Sequence, residues 1–291
     1  MKLATFRAGS ERRVGILSAD GTILEPLALS VDAAVEGVAA VIGRDLAMLP
    51  RLSPVPISEV VLEAPFPRPR RNIFCVGKNY REHAREFTAS GFDSSAAAGE
   101  VPKAPIVFSK VPETVIGPGV AVRIDPSVSA AVDYEAELSV VIGRGGRGIK
   151  AADAMAHVWG YTIVNDVTAR DLQGRYSQWL IGKSQDGFCP MGPFAVTADA
   201  IDVADTNVRC WVNGELRQAA NTVDLIFSIP IIIETIAAGV TLMPGDIIAT
   251  GTPAGVGVGF KPPKYLRHGD VVAIEIDGIG RLENRFVEAA S

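Results

Sequence analysis

Three acids at alternate positions head an apolar run in the stretch Asp133-Tyr134-Glu135-Ala136-Glu137-Leu138-Ser139-Val140-Val141-Ile142-Gly143. Side chains alternate across a strand, so Tyr134, Ala136, Leu138, Val140 and Ile142 form an apolar face while Asp133, Glu135, Glu137 and Ser139 line the other. Two or three carboxylates therefore point the same way. Held together they repel unless protonated or bridged by a cation, and hard ions such as Mg²⁺, Mn²⁺ or Ca²⁺ take such oxygen ligands. A solvated outer face is the commoner fate of Glu-x-Glu on a strand. The pair alone does not choose.

A third ligand would, and Asn165-Asp166-Val167-Thr168-Ala169-Arg170-Asp171-Leu172-Gln173 offers one. If a helix begins there, Asp166, Arg170 and Gln173 fall at i, i+4 and i+7 on one face. The competing reading makes Asp166 or Thr168 a helix cap, with Thr168 and Asp171 as a capping box. In GKNYREHAREF, His83 and Glu86 stand at i and i+3, close enough on a helix for the carboxylate to orient the imidazole as a general base. An exposed helix-surface ion pair is the commoner explanation of that spacing. Histidine is scarce, however: the other two, His157 and His268, fall in a helical stretch and a polar loop without a comparable partner.

Other motifs exclude chemistry. Gly182-Lys183-Ser184 lacks the earlier glycine of a phosphate loop, since Ser177 stands there. The run from Gly251 through Thr252 to Gly259 has neither the dinucleotide glycine pattern nor a following helix, and reads as a tight loop where backbone or Thr252 approaches a ligand. No G-x-S-x-G elbow is present, which argues against an α/β-hydrolase serine mechanism.

The elements that would carry these residues are mostly strands. NIFCVG, APIVFSK, YEAELSVVIG, VWGYTIVN, VRCWVNGELRQ, GDIIATG and VVAIEIDGIGRLENRF read as strands, with Asn213-Gly214 and Asp277-Gly278 as hairpin turns. Helices are expected over residues 31–42, 80–87, 151–157, 168–173 and 222–238. The fold class is α+β and β-rich, without an alternating βαβ array. The first 60 or so residues read as hairpins and one helix, and Pro65, Pro67 and Pro69 make an extended connection. The expected division is a small N-terminal β-rich domain with its linker over 1–69 and a catalytic domain over 70–291. Residues 88–99 read as a mobile loop of small and polar residues.

The chain has 291 residues, 48% of them hydrophobic, and a net charge of −5. It is long enough for one or two domains with a sizeable core, and its charge gives no basic footprint for nucleic acid or an anionic membrane. Residues 225–245 contain Pro230 and Glu234, and fall short of the roughly 20 apolar residues of a membrane span. No secretory h-region is visible at the start. Cys75, Cys189 and Cys210 form no CxxC, so a cytoplasmic setting is expected rather than disulfides or a thiolate metal site.

Taken in order, GKNYREH-x-x-E, the Ser-Lys ending at Lys110, DYEAEL, NDVTARDLQ, the W-x-x-GKS-x-DGF-x-P-x-GP stretch from Trp179 and GDIIATGTPAGVG resemble the fumarylacetoacetate hydrolase superfamily over roughly residues 70–288, in its bacterial acylpyruvase and 2-hydroxyhepta-2,4-diene-1,7-dioate isomerase branch. The resemblance implies a β-roll catalytic domain with Mg²⁺ or Mn²⁺ held by Glu135, Glu137 and Asp166. It further implies a dyad of His83 and Glu86 in a lid, Lys183 against the developing enolate, substrate contacts from Arg170, Gln173 and Thr252, and a homodimer. Phe87, Phe92 and Trp179 are candidate pocket walls.

The activity expected on this basis is hydrolysis of a C–C bond in an acylpyruvate or other 2,4-dioxo acid, with His83 activating water and Lys183 neutralising enolate charge. Oxaloacetate decarboxylation, or isomerisation of a 2-hydroxy-dienedioate in aromatic catabolism, would use the same site. A metal-stabilised binding protein without catalysis is the alternative from another class.

Overall fold

The computed structural model describes residues 1–89, 102–176 and 178–289. Its centre is the strand Ala136–Ile142, every residue of which is buried. It runs antiparallel to Val158–Asn165, with Ala136 opposite Asn165, and antiparallel to Ile247–Ala249, with Ser139 opposite Ala249. Ile247–Ala249 lies parallel to Ile73–Gly77, which pairs in turn with Ile106–Lys110. On its other side the sheet continues through Ala195–Thr197 to Lys2–Ala8 and the N-terminal hairpins, with Lys2 opposite Val196. A second sheet of five strands comprises Glu215–Asn221, Asn207–Val212, Val271–Ile276, Gly280–Glu288 and Val122–Ile124.

The apolar face expected of the central strand packs as expected: Ala136, Leu138, Val140 and Ile142 join Val208, Cys210 and Ile274 of the second sheet in one core. The opposite face is not solvated. Val141 enters a second core with Leu3, Phe66, Cys75 and Val164, because the N-terminal strands and the proline segment cover that side. Each aliphatic or aromatic side chain buried in this way contributes roughly 1.5–3 kcal/mol. Burial on both faces is what turns the acidic residues at the strand's head from surface groups into interior ones.

The helices are shorter than the periodicity suggests. Residues 31–42 divide into the helix Val31–Val35 and the 3₁₀ turn Gly37–Val41, because Gly37 has φ +63 and a Cβ there would stand 2.5 Å from the Pro65 carbonyl oxygen. The stretch 222–238 divides into the 3₁₀ turn Thr222–Asp224 and the helix Ile229–Ala237, with Pro230 inside its first turn where the missing N–H costs nothing. Residues 151–157 form a 3₁₀ helix, and Arg81–Ala89 forms an α-helix as expected. Asn213 and Gly214 both take positive φ in their hairpin turn, as does Gly278 in the other. Of the expected mobile loop, Thr88 and Ala89 close the Arg81–Ala89 helix, and the remainder lies outside the described residues. Among the described residues no helix is long and apolar enough to cross a membrane.

Candidate active site

The strand pairing that places Ala136 opposite Asn165 also carries the chain into the site. Glu135 N–H donates to Asn165 Oδ1 at 3.0 Å, and Asp166 N–H donates to the Glu135 carbonyl at 2.9 Å. Glu135, Glu137 and Asp166 thereby converge, with one carboxylate oxygen from each inside a 4.8 Å cluster, all three buried. Asp133, expected on the same face, is not among them. The ladder breaks after Asp133, which pairs with Thr168, and the long strand restarts at Ala136.

Asp133 instead holds neighbouring parts in place. Its Oδ2 accepts from Arg170 Nε at 2.8 Å and from Val258 N–H at 3.0 Å, while Oδ1 accepts from Gly257 N–H at 2.6 Å. The helix expected from 168 begins at Arg170, with no side-chain cap at Ala169. The capping box does not form: Thr168 Oγ1 donates to the Asp166 carbonyl, and Asp171 accepts from Ser129 Oγ and Ala130 N–H. Asp166 reaches the cluster from the turn before the helix.

Two lysines brace the carboxylates. Lys183 Nζ lies 2.6 Å from Glu135 Oε2 and 2.7 Å from Asp166 Oδ2. Lys110, fully buried, donates to Asp166 Oδ1 at 2.7 Å, to the Val167 carbonyl at 3.0 Å and to the Lys183 carbonyl. Glu137 Oε2 accepts only from Gly251 N–H, at 2.8 Å, among the described residues. The electrostatics follow the partners. Burial pushes the Glu135 carboxyl up, but Lys183 and Arg170 overcome it and bring it to about 2. Glu137 has no such cation in contact, so burial, with Asp166 and Glu135 beside it, drives its carboxyl well above the usual range. Lys183 is raised: burial works against its charge, and Asp166 and Glu135 more than compensate.

A buried, all-oxygen set of three carboxylates, one of them without a cation in contact among the described residues, fits a hard divalent cation such as Mg²⁺ or Mn²⁺. Thiolate competition is absent from this set, since each of the three cysteines is free and buried elsewhere in the core.

His83 and Glu86 are both largely buried, not an exposed surface pair. His83 Nδ1 lies 3.4 Å from Glu86 Oε2, an orienting contact that is long for a full hydrogen bond, and the ring stacks on Phe87 at 6.0 Å. The other partner of Glu86 is Gly255 N–H, at 3.0 Å to Oε1 and 3.1 Å to Oε2. Gly259 presses against the same carboxylate, where a Cβ would meet Oε1 at 2.1 Å. The glycine loop thus seats Glu86. The remaining histidines serve elsewhere: His157 contacts the Arg144 carbonyl and side chain, and His268 accepts from Glu288 N–H.

Arg170 is fixed by Asp133, by Glu135 Oε1 at 2.7 Å and by Gln173 Oε1 at 3.1 Å, yet its Nη2 is buried with no hydrogen-bond partner among the described residues. Thr252 Oγ1 accepts from Gln218 Nε2 at 2.8 Å. One pocket is lined by every expected site residue except Glu86 and Asp166: His83, Glu135, Glu137, Arg170, Gln173, Lys183 and Thr252. Its apolar wall includes Phe87, Phe108 and Trp179, the last two packed edge to face at 5.1 Å. Phe92 lies outside the described residues.

Sequence reasoning missed the work of Lys110 and Gln218. The signal for Lys110 is a lysine closing an apolar strand, and for Gln218 an amide in a strand facing the threonine of the glycine loop. Gln218 is fully buried and bonds Ala136 N–H, Thr252 and the Pro253 carbonyl.

Comparison with known proteins sets this geometry in a lineage. The model of the fumarylacetoacetate (FAA) hydrolase C-terminal family matches residues 72–287. The oxaloacetate tautomerase YisK of Bacillus subtilis is 53% identical over 231 residues, covering 79% of this chain and 74% of that protein. The human mitochondrial oxaloacetate tautomerase FAHD2A is 45% identical over 244 residues, 83% of this chain and 74% of that one. Among solved structures, a fumarylacetoacetate hydrolase from Exiguobacterium antarcticum superposes with a TM-score of 0.82 at 40% identity, over 99% of this chain and 100% of that one. A 2-hydroxyhepta-2,4-diene-1,7-dioate isomerase from Mycobacterium marinum does so with a TM-score of 0.78 at 33% identity, over the full length of both chains. On the match across residues 72–287 and these relationships, the chain belongs to the fumarylacetoacetate hydrolase family.

Proposed function

We propose that this chain is a divalent-metal-dependent enzyme acting on 2-oxo acids, and that its reaction is the interconversion of the enol and keto forms of oxaloacetate. Family members are enzymes of keto acids, and the observation that carries the finer reading is the 53% identity to an oxaloacetate tautomerase. The site supports it chemically: an oriented imidazole, a buried ammonium and an arginine with an unused N–H share one pocket with Glu135 and Glu137 of the carboxylate triad.

A cation on Glu135, Glu137 and Asp166 would supply Lewis-acid polarisation of the 2-oxo oxygen. Arg170 Nη2 takes an oxygen of the substrate carboxylate, which satisfies its unpaired donor. Lys183 donates to the 2-oxygen and steadies the negative charge that grows there. His83, held by Glu86, removes a proton from C3 of the keto acid while the Lys183 ammonium gives one to the 2-oxygen, and in the reverse direction Lys183 takes the enol O–H proton as His83 returns one to C3. Glu86 keeps the imidazole in one orientation.

Hydrolysis of an acylpyruvate is the second reading, favoured by the same dyad, which would activate water instead of a C–H bond. Decarboxylation of oxaloacetate and dienedioate isomerisation draw on the same charge stabilisation, the latter supported by the likeness to the Mycobacterium marinum isomerase. His83→Ala sets decarboxylation apart from the reactions that need the dyad. We expect it to lower enol–keto exchange and any acylpyruvate cleavage by roughly 100-fold or more while sparing decarboxylation, which needs no proton acceptor at C3. Equal loss of all three activities would contradict this division of roles. Homodimerisation and a cytoplasmic setting belong to the same proposal, the latter in keeping with three free, buried cysteines.

A further inference from the structure

We propose that Gln218 is a positioning residue that makes the Thr252 hydroxyl a one-way hydrogen-bond donor to an oxygen of the bound ligand, an inference that rests on the reading of the pocket as a 2-oxo-acid site. Thr252 lines the pocket and is 2% exposed, whereas Gln218 stands behind it.

The strand Glu215–Asn221, which carries Gln218, is at the edge of the second sheet. Its register against Asn207–Val212 slips beside that residue: Cys210 is opposite Gln218 but Trp211 is opposite Leu216, so Arg217 is an extra residue. Such a bulge re-aims the side chain next to it. Gln218 is fully buried although Ala219 after it is exposed, and it reaches across to the first sheet, where its Oε1 accepts from Ala136 N–H at 3.1 Å. Ala136 is the residue between Glu135 and Glu137. The bulge also meets the glycine loop, since Gly255, with φ +101, leaves no room for a Cβ beside the Arg217 carbonyl. One residue thus ties the strand of the carboxylates to the loop of Thr252.

The polarity of its partners fixes the amide. Ala136 N–H can only donate and the Pro253 carbonyl can only accept, so Oε1 faces the first and Nε2 the second, at 2.7 Å. The remaining N–H of Nε2 goes to Thr252 Oγ1 at 2.8 Å. Toward the protein, then, the Thr252 oxygen accepts, and its own hydrogen has no acceptor among the described residues. A buried hydroxyl with an unspent O–H in a pocket wall donates to what enters the pocket. A carboxylate or keto oxygen of a 2-oxo acid meets that donor, aimed by a strand that does not itself reach the ligand.

The test is calorimetric binding of oxalate, a mimic of the chelating end of a 2-oxo acid, to the Mg²⁺-loaded protein. Thr252→Val removes the hydroxyl and Thr252→Ser keeps it. Gln218→Glu keeps the volume and the acceptor for Ala136 N–H, but has at most one proton where the amide has two. The Pro253 carbonyl claims that proton, so in either protonation state the new oxygen accepts from Thr252 and draws its hydroxyl away from the pocket. We expect Thr252→Val and Gln218→Glu each to lose about tenfold in oxalate affinity, and Thr252→Ser to stay within about threefold of wild type. The double variant should lose no more than about twofold beyond the weaker single, since both changes remove the same donor. Should Gln218→Glu not melt cooperatively, Gln218→Met takes its place in the cycle, because it too lacks the N–H that fixes the hydroxyl. An unchanged oxalate affinity in the Gln218 variant overturns the assignment. So do losses that add in the double variant, as repulsion of the anion or a general loosening would give. Activity is followed separately: a wild type that binds oxalate with the expected pattern but does not interconvert the enol and keto forms of oxaloacetate sinks the proposed reaction and leaves this inference standing. A wild type that binds no oxalate overturns both.

Discussion

Glu135 and Glu137 stand two residues apart on one strand, yet their carboxyls are pushed in opposite directions, down to about 2 for the first and well up for the second. The difference is contact with Lys183 and Arg170, which only Glu135 makes. Linkage then gives two signs for the metal-free protein. Glu135, depressed from 4.5, adds stability that is present above that value and lost as pH falls toward about 2. Glu137, raised in the folded state, adds stability that is full below the ordinary carboxylate value and lost as pH rises toward its folded one. In EDTA at neutral pH, Glu137→Gln is therefore expected to melt a few degrees above wild type. With saturating Mg²⁺ the order should reverse, because the variant loses ligand-linked stabilisation. Thermal melts in both buffers check this; a variant that melts lower in EDTA would contradict the electrostatic account of Glu137.

The loop from Thr252 to Gly259 is the element on which the two halves of the site depend, since its backbone N–H groups hold both Glu86 and Asp133. Gly259→Ala drives a Cβ into the Glu86 carboxylate and is expected to lower kcat to the same extent as Glu86→Ala, roughly 10- to 100-fold, with little change in substrate affinity. Asp133→Asn removes the charge that faces Arg170 and is expected to act chiefly on KM. Steady-state kinetics of the three variants distinguish these effects, and a Gly259→Ala enzyme with normal kcat would show that Glu86 does not need its seat. Such cross-element contacts were not legible in the sequence. The strand pattern revealed Glu135 and Glu137 because alternation is local, but it placed Asp133 with them because a ladder break leaves no mark in side-chain type. The helix expected over 222–238 failed for a similar reason. Periodicity ran through Pro230, while Asn79, far away in the chain, claims the backbone of Phe227 and ends the preceding turn.

At the level of the entire fold, the acids are buried because two cores close over the central strand, and one of these is shared between the beginning and the middle of the chain. Leu3, Val14, Leu27 and Val38 pack with Cys75, Val141, Val164 and Ala195 in a single cluster. Removal of residues 1–69 is accordingly expected to expose this cluster and the edge of Ala195–Thr197, giving a protein that aggregates or melts without cooperativity. A soluble, cooperatively folding 70–291 fragment would contradict that. The expected β-rich α+β class was legible because strand alternation and Asn-Gly and Asp-Gly turns are written locally; the joining of the N-terminal strands to the main sheet was not, since pairing partners nearly 200 residues apart carry no sequence periodicity. The fold thus serves the proposed division of labour, in which a cation on the triad and a proton carrier on the neighbouring helix together interconvert the tautomers of a 2-oxo acid. The ultraviolet decay of enol-oxaloacetate, followed with Mg²⁺ and with EDTA for wild type and Glu135→Ala, puts that division to the test. We expect rapid decay with Mg²⁺ that falls to the uncatalysed rate both in EDTA and in the variant. Rapid decay that survives in EDTA and in Glu135→Ala would contradict it.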